Sequence, residues 1–156
     1  MNFNDYSLVN MLSYEEYVSY LKNKYGAVPG DYFSNTFIPN LTIKRRNEEL
    51  FIHHVKEDTI ANLSSVEVAQ LAPFEYQLAD NLVYANLLEH ILLHIMIGEQ
   101  NNGLGYGGAE LMVAQANDFY DEFDDERKSV LDGCEDVLEV LKERLRNGIS
   151  AYDILL

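Results

Sequence analysis

The 156-residue chain is 47% hydrophobic and 24% charged, with a net charge of −15, an ordinary globular composition that excludes wholesale disorder and predicts a single domain over residues 1–156. Its central apolar stretch, residues 91–97, is far shorter than the roughly 20 residues that span a bilayer, and no signal peptide is recognisable, so we expect a cytoplasmic protein without membrane contact. The negative charge disfavours DNA, whose binding proteins neutralise phosphates with basic residues.

A first helix is predicted over residues 13–25. Ser13 and Glu16 have the spacing of a capping box, and Gly26 supplies a C-terminal stop. The apolar residues between them recur at helical intervals and predict an aromatic face turned into the core. These residues are Tyr14, Tyr17, Val18, Leu21 and Tyr25.

Two short runs rich in β-forming residues follow, at 41–43 and 50–52. They flank the charged stretch 44–49, and we interpret the whole as a β-hairpin with a charged tip. His53 and His54 therefore fall at the end of a strand.

Further along the chain, the pattern predicts a short helix at 66–71, a turn at 74–78, a strand at 82–84 and an apolar helix at 87–97 that Gly98 closes. The glycine-rich stretch 103–108 is interpreted as a hinge. Two acidic C-terminal helices are predicted at 109–123 and 126–146. Their expected core contacts are Leu131, Val137, Leu138, Leu141 and Leu145.

All four histidines fall into two pairs, the adjacent His53 and His54, and His90 and His94 four residues apart. Residues four apart lie on one face of a helix, where two imidazoles can bind one ion. Histidine is also the commonest protein ligand for zinc-like metals. The pairing therefore predicts a metal site, with ordinary buried or surface histidines as the alternative.

In order, the candidate site consists of His53-His54, Asn81-Leu-Val-Tyr84 and Glu89-His90-x-x-x-His94. This constellation resembles the His-Me finger, or HNH, nucleases and is nearest to the colicin DNase branch. Similar strings occur in many phage HNH proteins. The resemblance covers residues 41–97 and implies an α+β fold, in which a ββα metal centre lies within a mostly helical domain. The insertion at residues 55–80 is longer than the compact loop of colicin DNases.

The resemblance also implies a role for each residue. His53, His90 and His94 would be the metal ligands, and His54 would be the catalytic general base. Asn81 would be a second catalytic residue that orients His54 or pins the loop; an ordinary turn residue is the alternative. The ion would be one divalent metal, with Zn²⁺ the first candidate and Mg²⁺, Mn²⁺ or Ni²⁺ as others.

Other kinds of metal site are less consistent with these residues. A zincin protease needs the pattern His-Glu-x-x-His, and here Ile91 follows His90. A purely structural zinc site usually has four ligands including cysteines; here His54 could complete a four-histidine site. Glu89 could accept a hydrogen bond from a ligand imidazole, with a solvated surface glutamate as the alternative.

The charge suggests a partner of another kind. Residues 79–156 hold 16 acids and 5 bases, against 10 and 6 in residues 1–78. Basic residues near the motif, Lys44 to Arg46 and Lys56, are few for a DNA-binding enzyme. The acidic segment 117–126, which is interleaved with aromatics, would repel DNA and favour a basic protein. An amphipathic helix end with its aromatics in the core is the alternative. The acids of this segment, the predicted partner-binding residues, are Asp118, Asp121, Glu122, Asp124, Asp125 and Glu126.

Two functions are therefore expected. The first is a phage or mobile-element protein that keeps the metal site for structure. It would inhibit a basic host defence enzyme that handles nucleic acid, in the manner of anti-CRISPR proteins that act on effectors such as Cas9. The second is an active metal-dependent HNH endonuclease, for which DNA would be the partner. The motif favours the nuclease, and the charge favours the inhibitor.

Overall fold

The computed structural model describes the backbone of residues 1–121 and 125–155, and the side chains of these residues except 119–135 and 154–155. Within this part, the chain forms two compact units. One consists of Met1–Tyr14 and Leu87–Leu156, and the other of Glu15–Asn86. The described elements are helices and one small antiparallel sheet, so the predicted α+β class is confirmed.

The first unit contains helices α1 (Phe3–Val9), α4 (Leu87–Gln100), α5 (Tyr106–Asp121) and α6 (Asp125–Leu155). Helix α1 was not predicted. It begins with a capping box, in which the Asp5 backbone N–H donates a hydrogen bond of 3.0 Å to the Asn2 side chain. The Asn2 backbone N–H in turn donates one to the Asp5 carboxylate. Such reciprocal bonds satisfy amide groups that the first helical turn leaves unpaired.

Helix α4 is the core of this unit. Ten of its 14 residues are buried, and it packs against both α5 and α6. The helix continues through Gly98, where the sequence predicts a stop, and Gly98 provides space there for the ring of Tyr106. A Cβ atom at Gly98 or at Gly148 of α6 would overlap that ring.

Both C-terminal helices begin earlier than predicted, and the second ends later. Helix α5 starts at Tyr106, so the expected hinge is a turn at Gly103 and Gly105, both with positive φ, that leads directly into the helix. Helix α6 runs to Leu155, beyond its expected end. Four of the predicted core residues, Val137, Leu138, Leu141 and Leu145, are buried; the side chain of Leu131 lies outside the described part.

The second unit contains helices α2 (Tyr14–Tyr25) and α3 (Val66–Leu71), several 3-10 turns and strands β1 (Phe51–His54) and β2 (Leu82–Ala85). Helix α2 follows Ser13 as predicted and buries Tyr17, Val18 and Leu21. The predictions of α3, of the turn after Pro73 and of the strand at 82–84 are likewise confirmed.

The predicted hairpin over 41–52 is wrong. Residues Leu41–Ile43 form a 3-10 turn, in which the Asn40 side chain caps the backbone N–H of Thr42 at 3.2 Å. Strand β1 pairs instead with β2, in an antiparallel register that places His53 opposite Val83 and His54 opposite Leu82. The β-forming pattern located β1 correctly, but it carried no information on which segment would be the partner.

A core cluster of Val28, Ile43, Leu50, Leu82 and Tyr84 supports this sheet. The hydroxyl of Tyr84 donates a hydrogen bond to the backbone carbonyl of Ile43. All four residues of β2 are buried. None of the helices in the described part combines the length and the apolar character needed to cross a membrane.

Candidate metal centre

Two elements supply the histidines. Consecutive side chains of a β-strand point to opposite faces, so His53 and His54 of β1 project in opposite directions, and both are fully buried. On α4, His90 and His94 lie one turn apart, with ring centroids separated by 5.0 Å. The helix therefore presents the two imidazoles together, as the spacing predicts.

The imidazoles of His53, His90 and His94 form one group. Each offers a ring nitrogen, and these nitrogens all lie within 4.8 Å of one another. His54 is not part of this group, so within the described residues it does not complete a four-histidine site. The predicted set of three ligands is thus brought together.

The chemistry of this donor set fits a divalent metal. Three imidazoles are a known ligand set for Zn²⁺, and they leave a coordination position for water or substrate. Ligand imidazoles must be unprotonated. Burial lowers the pKa of His94 from 6.5 to about 4, so this ring is neutral at physiological pH. The group can hold a metal ion.

Gly108 of α5 lies directly against His94. A Cβ atom at Gly108 would come within 2.9 Å of His94 Nδ1, whereas one at the neighbouring Gly107 would meet no atom within 4 Å. The absence of a side chain at Gly108 therefore lets the helix backbone pack against this ring.

His54 occupies a different set of contacts. Its Nε2 lies 2.7 Å from Gln77 Oε1, and its Nδ1 lies 4.0 Å from Glu57 Oε1. The ring of Tyr32 packs against it edge-on, with centroids 4.4 Å apart. Burial lowers the pKa of His54 to about 4, so His54 is neutral at physiological pH.

The pKa of Glu57 shifts in the direction opposite to that of His54. Burial raises the pKa of its carboxyl from 4.5 to about 7, although backbone hydrogen bonds, including that from Asn62 at 3.0 Å, favour the ionised form. A carboxyl group that titrates near neutral pH beside a buried histidine is a feature common at functional sites.

The hydrogen bond of the Asn81 side chain and the burial of Glu89 bear on their predicted roles. The Asn81 side chain donates a hydrogen bond of 2.8 Å to the backbone carbonyl of Glu75, which pins the loop before β2; its part in catalysis stays a prediction. Glu89 is only 1% exposed, so the interpretation of Glu89 as a solvated surface residue is wrong.

The basic stretch before β1 is partly engaged. Arg45 binds Glu48 at 2.6 Å and the backbone carbonyl of Tyr25 at 3.0 Å, and its guanidinium lies 4.9 Å from the centre of the Tyr84 ring. These contacts indicate that Arg45 stabilises the fold. Arg46 is exposed, whereas Lys44 and Lys56 are half-buried.

The predicted partner-binding acids are described only in part. Asp118 is exposed on α5. The backbones of Asp121, Asp125 and Glu126 are helical, but their side chains lie outside the described residues, as do Glu122 and Asp124 entirely. Their part in binding a partner stays a prediction.

Sequence reasoning did not find Gln77, Glu57 or Gly108. Glu57 lies three residues beyond His54, a spacing that could have drawn attention to it. Gln77 and Gly108 carry no local signal, since both matter through contacts with residues distant in the chain.

Comparisons of the chain with protein-family models, curated proteins and solved structures find no match.

A Cβ atom at Gly108 should weaken metal binding by displacing the His94 ring. We expect Gly108→Ala to lower the affinity for Zn²⁺ by about tenfold, the size of effect typical of residues that orient metal ligands. Gly107→Ala is the matched control, since both changes raise helix propensity equally. Calorimetric titration of the chelator-treated protein measures both. Equal affinities would show that His94 does not need this contact to bind the ion.

The raised pKa of the Glu57 carboxyl should make the stability of the metal-free protein depend on pH. This raised pKa means that the folded state binds a proton between about pH 4.5 and 7 that the unfolded state does not, so its contribution to stability is lost as the pH rises through this window. Glu57→Gln cannot ionise. Relative to the wild type, its free energy of unfolding should therefore increase from pH 4.5 to 7 in urea titrations. A difference that stays constant with pH would contradict the shift.

Proposed function

We propose that the protein is a metal-dependent endonuclease of the His-Me finger type that hydrolyses phosphodiester bonds in DNA. The observation that best supports this proposal is the convergence of the His53, His90 and His94 ring nitrogens within 4.8 Å. The residue that follows His53 on its strand is a fourth histidine, His54, outside the group. In a hydrolysis of this kind the ion would stabilise charge on the phosphate and a separate base would activate the attacking water.

In this proposal, His53, His90 and His94 hold the ion. A divalent cation bound there would stabilise the negative charge that develops on the phosphate oxygens. The half-buried His90 is the most accessible of the three ligands, and the phosphate would approach on its side. Lys44 and Arg46 are the basic residues available to contact the backbone, because Arg45 is engaged in ion pairing and stacking.

His54 is the proposed general base. As the oxygen of the attacking water bonds to phosphorus, its proton passes to the His54 imidazole. The bond between phosphorus and the leaving sugar oxygen then breaks, and that oxygen takes a proton from solvent. A neutral imidazole suits this role, and burial keeps His54 neutral.

Plasmid nicking tests the nuclease directly. The chelator-treated protein should nick supercoiled DNA after addition of Mg²⁺, Mn²⁺, Ni²⁺ or Zn²⁺, and His54→Ala should slow nicking by about 100-fold or more, as expected for loss of a general base. His54→Ala should still bind the ion, whereas His90→Ala should lose both binding and nicking. Gln70→Ala, at an exposed position of α3, is the control. Absence of nicking with all four ions would reject the nuclease.

A second candidate is favoured by charge and by the burial of His54. With a net charge of −15 and no exposed surface on His54, the metal centre can be purely structural. We propose as the alternative that the protein is an acidic inhibitor that binds a basic, nucleic-acid-handling defence enzyme of the host, such as a CRISPR effector. The acids at 118–126 would then form part of the binding surface.

Charge reversal distinguishes this alternative. If the inhibitor is correct, the wild-type protein should block DNA cleavage by a CRISPR effector, and the change to lysine of Asp118, Asp121 and Asp125 together should weaken the inhibition. Glu110→Lys, at an exposed position of α5, should leave the inhibition unchanged, and so should His54→Ala. Cleavage at full rate in an excess of the wild-type protein would reject the proposal for that effector.

A further inference from the structure

The buried amide of Gln77 is the polar group that contacts His54, and the orientation of this amide is determined by its other partner. Gln77 Nε2 lies 2.9 Å from the backbone carbonyl oxygen of Leu63. A carbonyl oxygen can only accept a hydrogen bond, so the amide nitrogen of Gln77 must face Leu63. The amide oxygen Oε1 is then the atom that faces His54, at 2.7 Å from its Nε2.

We propose that Gln77 is a positioning residue that fixes the tautomer of His54, so that Nε2 carries the ring proton and Nδ1 is the basic nitrogen. An amide oxygen is solely an acceptor, so the imidazole nitrogen opposite it must be the donor. In a neutral imidazole only one nitrogen carries hydrogen, which leaves the lone pair on Nδ1.

The surroundings of Nδ1 agree with this assignment. This nitrogen is buried and makes no hydrogen bond, and the nearest carboxylate oxygen, Oε1 of Glu57, lies 4.0 Å away, beyond hydrogen-bond distance. A proton placed on Nδ1 would therefore be buried and unsatisfied, whereas a proton on Nε2 has a partner. Burying an unsatisfied donor is unfavourable.

The orientation of both side chains is held by other contacts. The backbone carbonyl of Gln77 accepts a hydrogen bond of 2.8 Å from the backbone N–H of Tyr32, and the ring of Tyr32 packs against His54. Both His54 and Gln77 are fully buried, so water does not compete for these bonds. Tyr32 thus fixes the Gln77 backbone and the face of His54 together.

The catalytic consequence of this tautomer rests on the nuclease function proposed above. If His54 is the base, then Nδ1 is the nitrogen that receives the proton from water, and after transfer both ring nitrogens carry hydrogen. Gln77 would stabilise the protonated ring through the same Nε2–H bond. Without Gln77, a fraction of the rings would carry the proton on Nδ1 and could not act as a base.

Nitrogen NMR of the full-length, metal-free protein tests the tautomer without any assay of activity. The ring nitrogens of His54 are assigned by the signals that His54→Ala removes. In the wild type we expect Nε2 to have the chemical shift of a protonated nitrogen and Nδ1 that of an unprotonated one. The opposite pattern, or an even mixture, would overturn the proposal by itself, whatever the variants do.

Gln77→Met keeps the approximate volume of the side chain and removes the acceptor. We expect this change to shift His54 toward a mixture of tautomers, whereas the exposed Gln70→Met should keep the wild-type pattern. If Gln77→Met does not fold, Gln77→Glu provides the second variant, since a protonated carboxyl group can donate to the Leu63 carbonyl and accept from Nε2, and should preserve the protonated Nε2. A folded Gln77→Met protein with an unchanged tautomer would overturn the role of Gln77.

Kinetics distinguish this inference from the proposed function. If the nuclease is active, Gln77→Met should lower kcat about two- to tenfold with little change in KM, because only the rings that keep the proton on Nε2 can act as the base and substrate binding is not affected. Unchanged kcat in a folded variant would overturn the positioning role. If no nuclease activity exists but the NMR pattern is found, the tautomer assignment stands and only the nuclease proposal falls.

Discussion

The antiparallel pairing of β1 with β2 is the constraint on which the candidate site depends. Because side chains alternate along a strand, this pairing assigns the two adjacent histidines to opposite faces. His53 joins the group of ring nitrogens, whereas His54 binds Gln77 and packs against Tyr32. A shift of the register by one residue would exchange their environments. One short strand therefore gives two identical side chains two different chemical surroundings.

The sequence predicted the parts of the site that depend on local spacing. The four-residue interval between His90 and His94 required only a helix, and the strand at His53 required only a run of β-forming residues. The partner of that strand was not predictable, because residues 41–43 carry the same β-forming pattern as 82–84 and only the tertiary structure decides between them. Gln77 and Gly108 act through contacts with residues distant in the chain, for which a sequence pattern gives no sign.

Charged residues were harder to interpret than apolar ones. Glu89 and Glu57 occupy positions that suggest solvent exposure, yet the first is buried and the second has a pKa raised to about 7 by burial. Arg45 resembles its neighbours Lys44 and Arg46 in sequence but serves the fold, through Glu48, Tyr25 and Tyr84. The number of basic residues near the motif thus overstates how many are available to a phosphate backbone.

The burial of α4 has a consequence for how the protein would respond to the release of a metal ion bound at the histidine group. Small zinc domains are commonly unfolded without metal, because the ion supplies the folding energy. Here the helix that carries His90 and His94 packs against α5 and α6, and most of its residues are buried. Two of the three ligands are consequently preorganised, so cycles of metal release and uptake need not involve refolding of this helix.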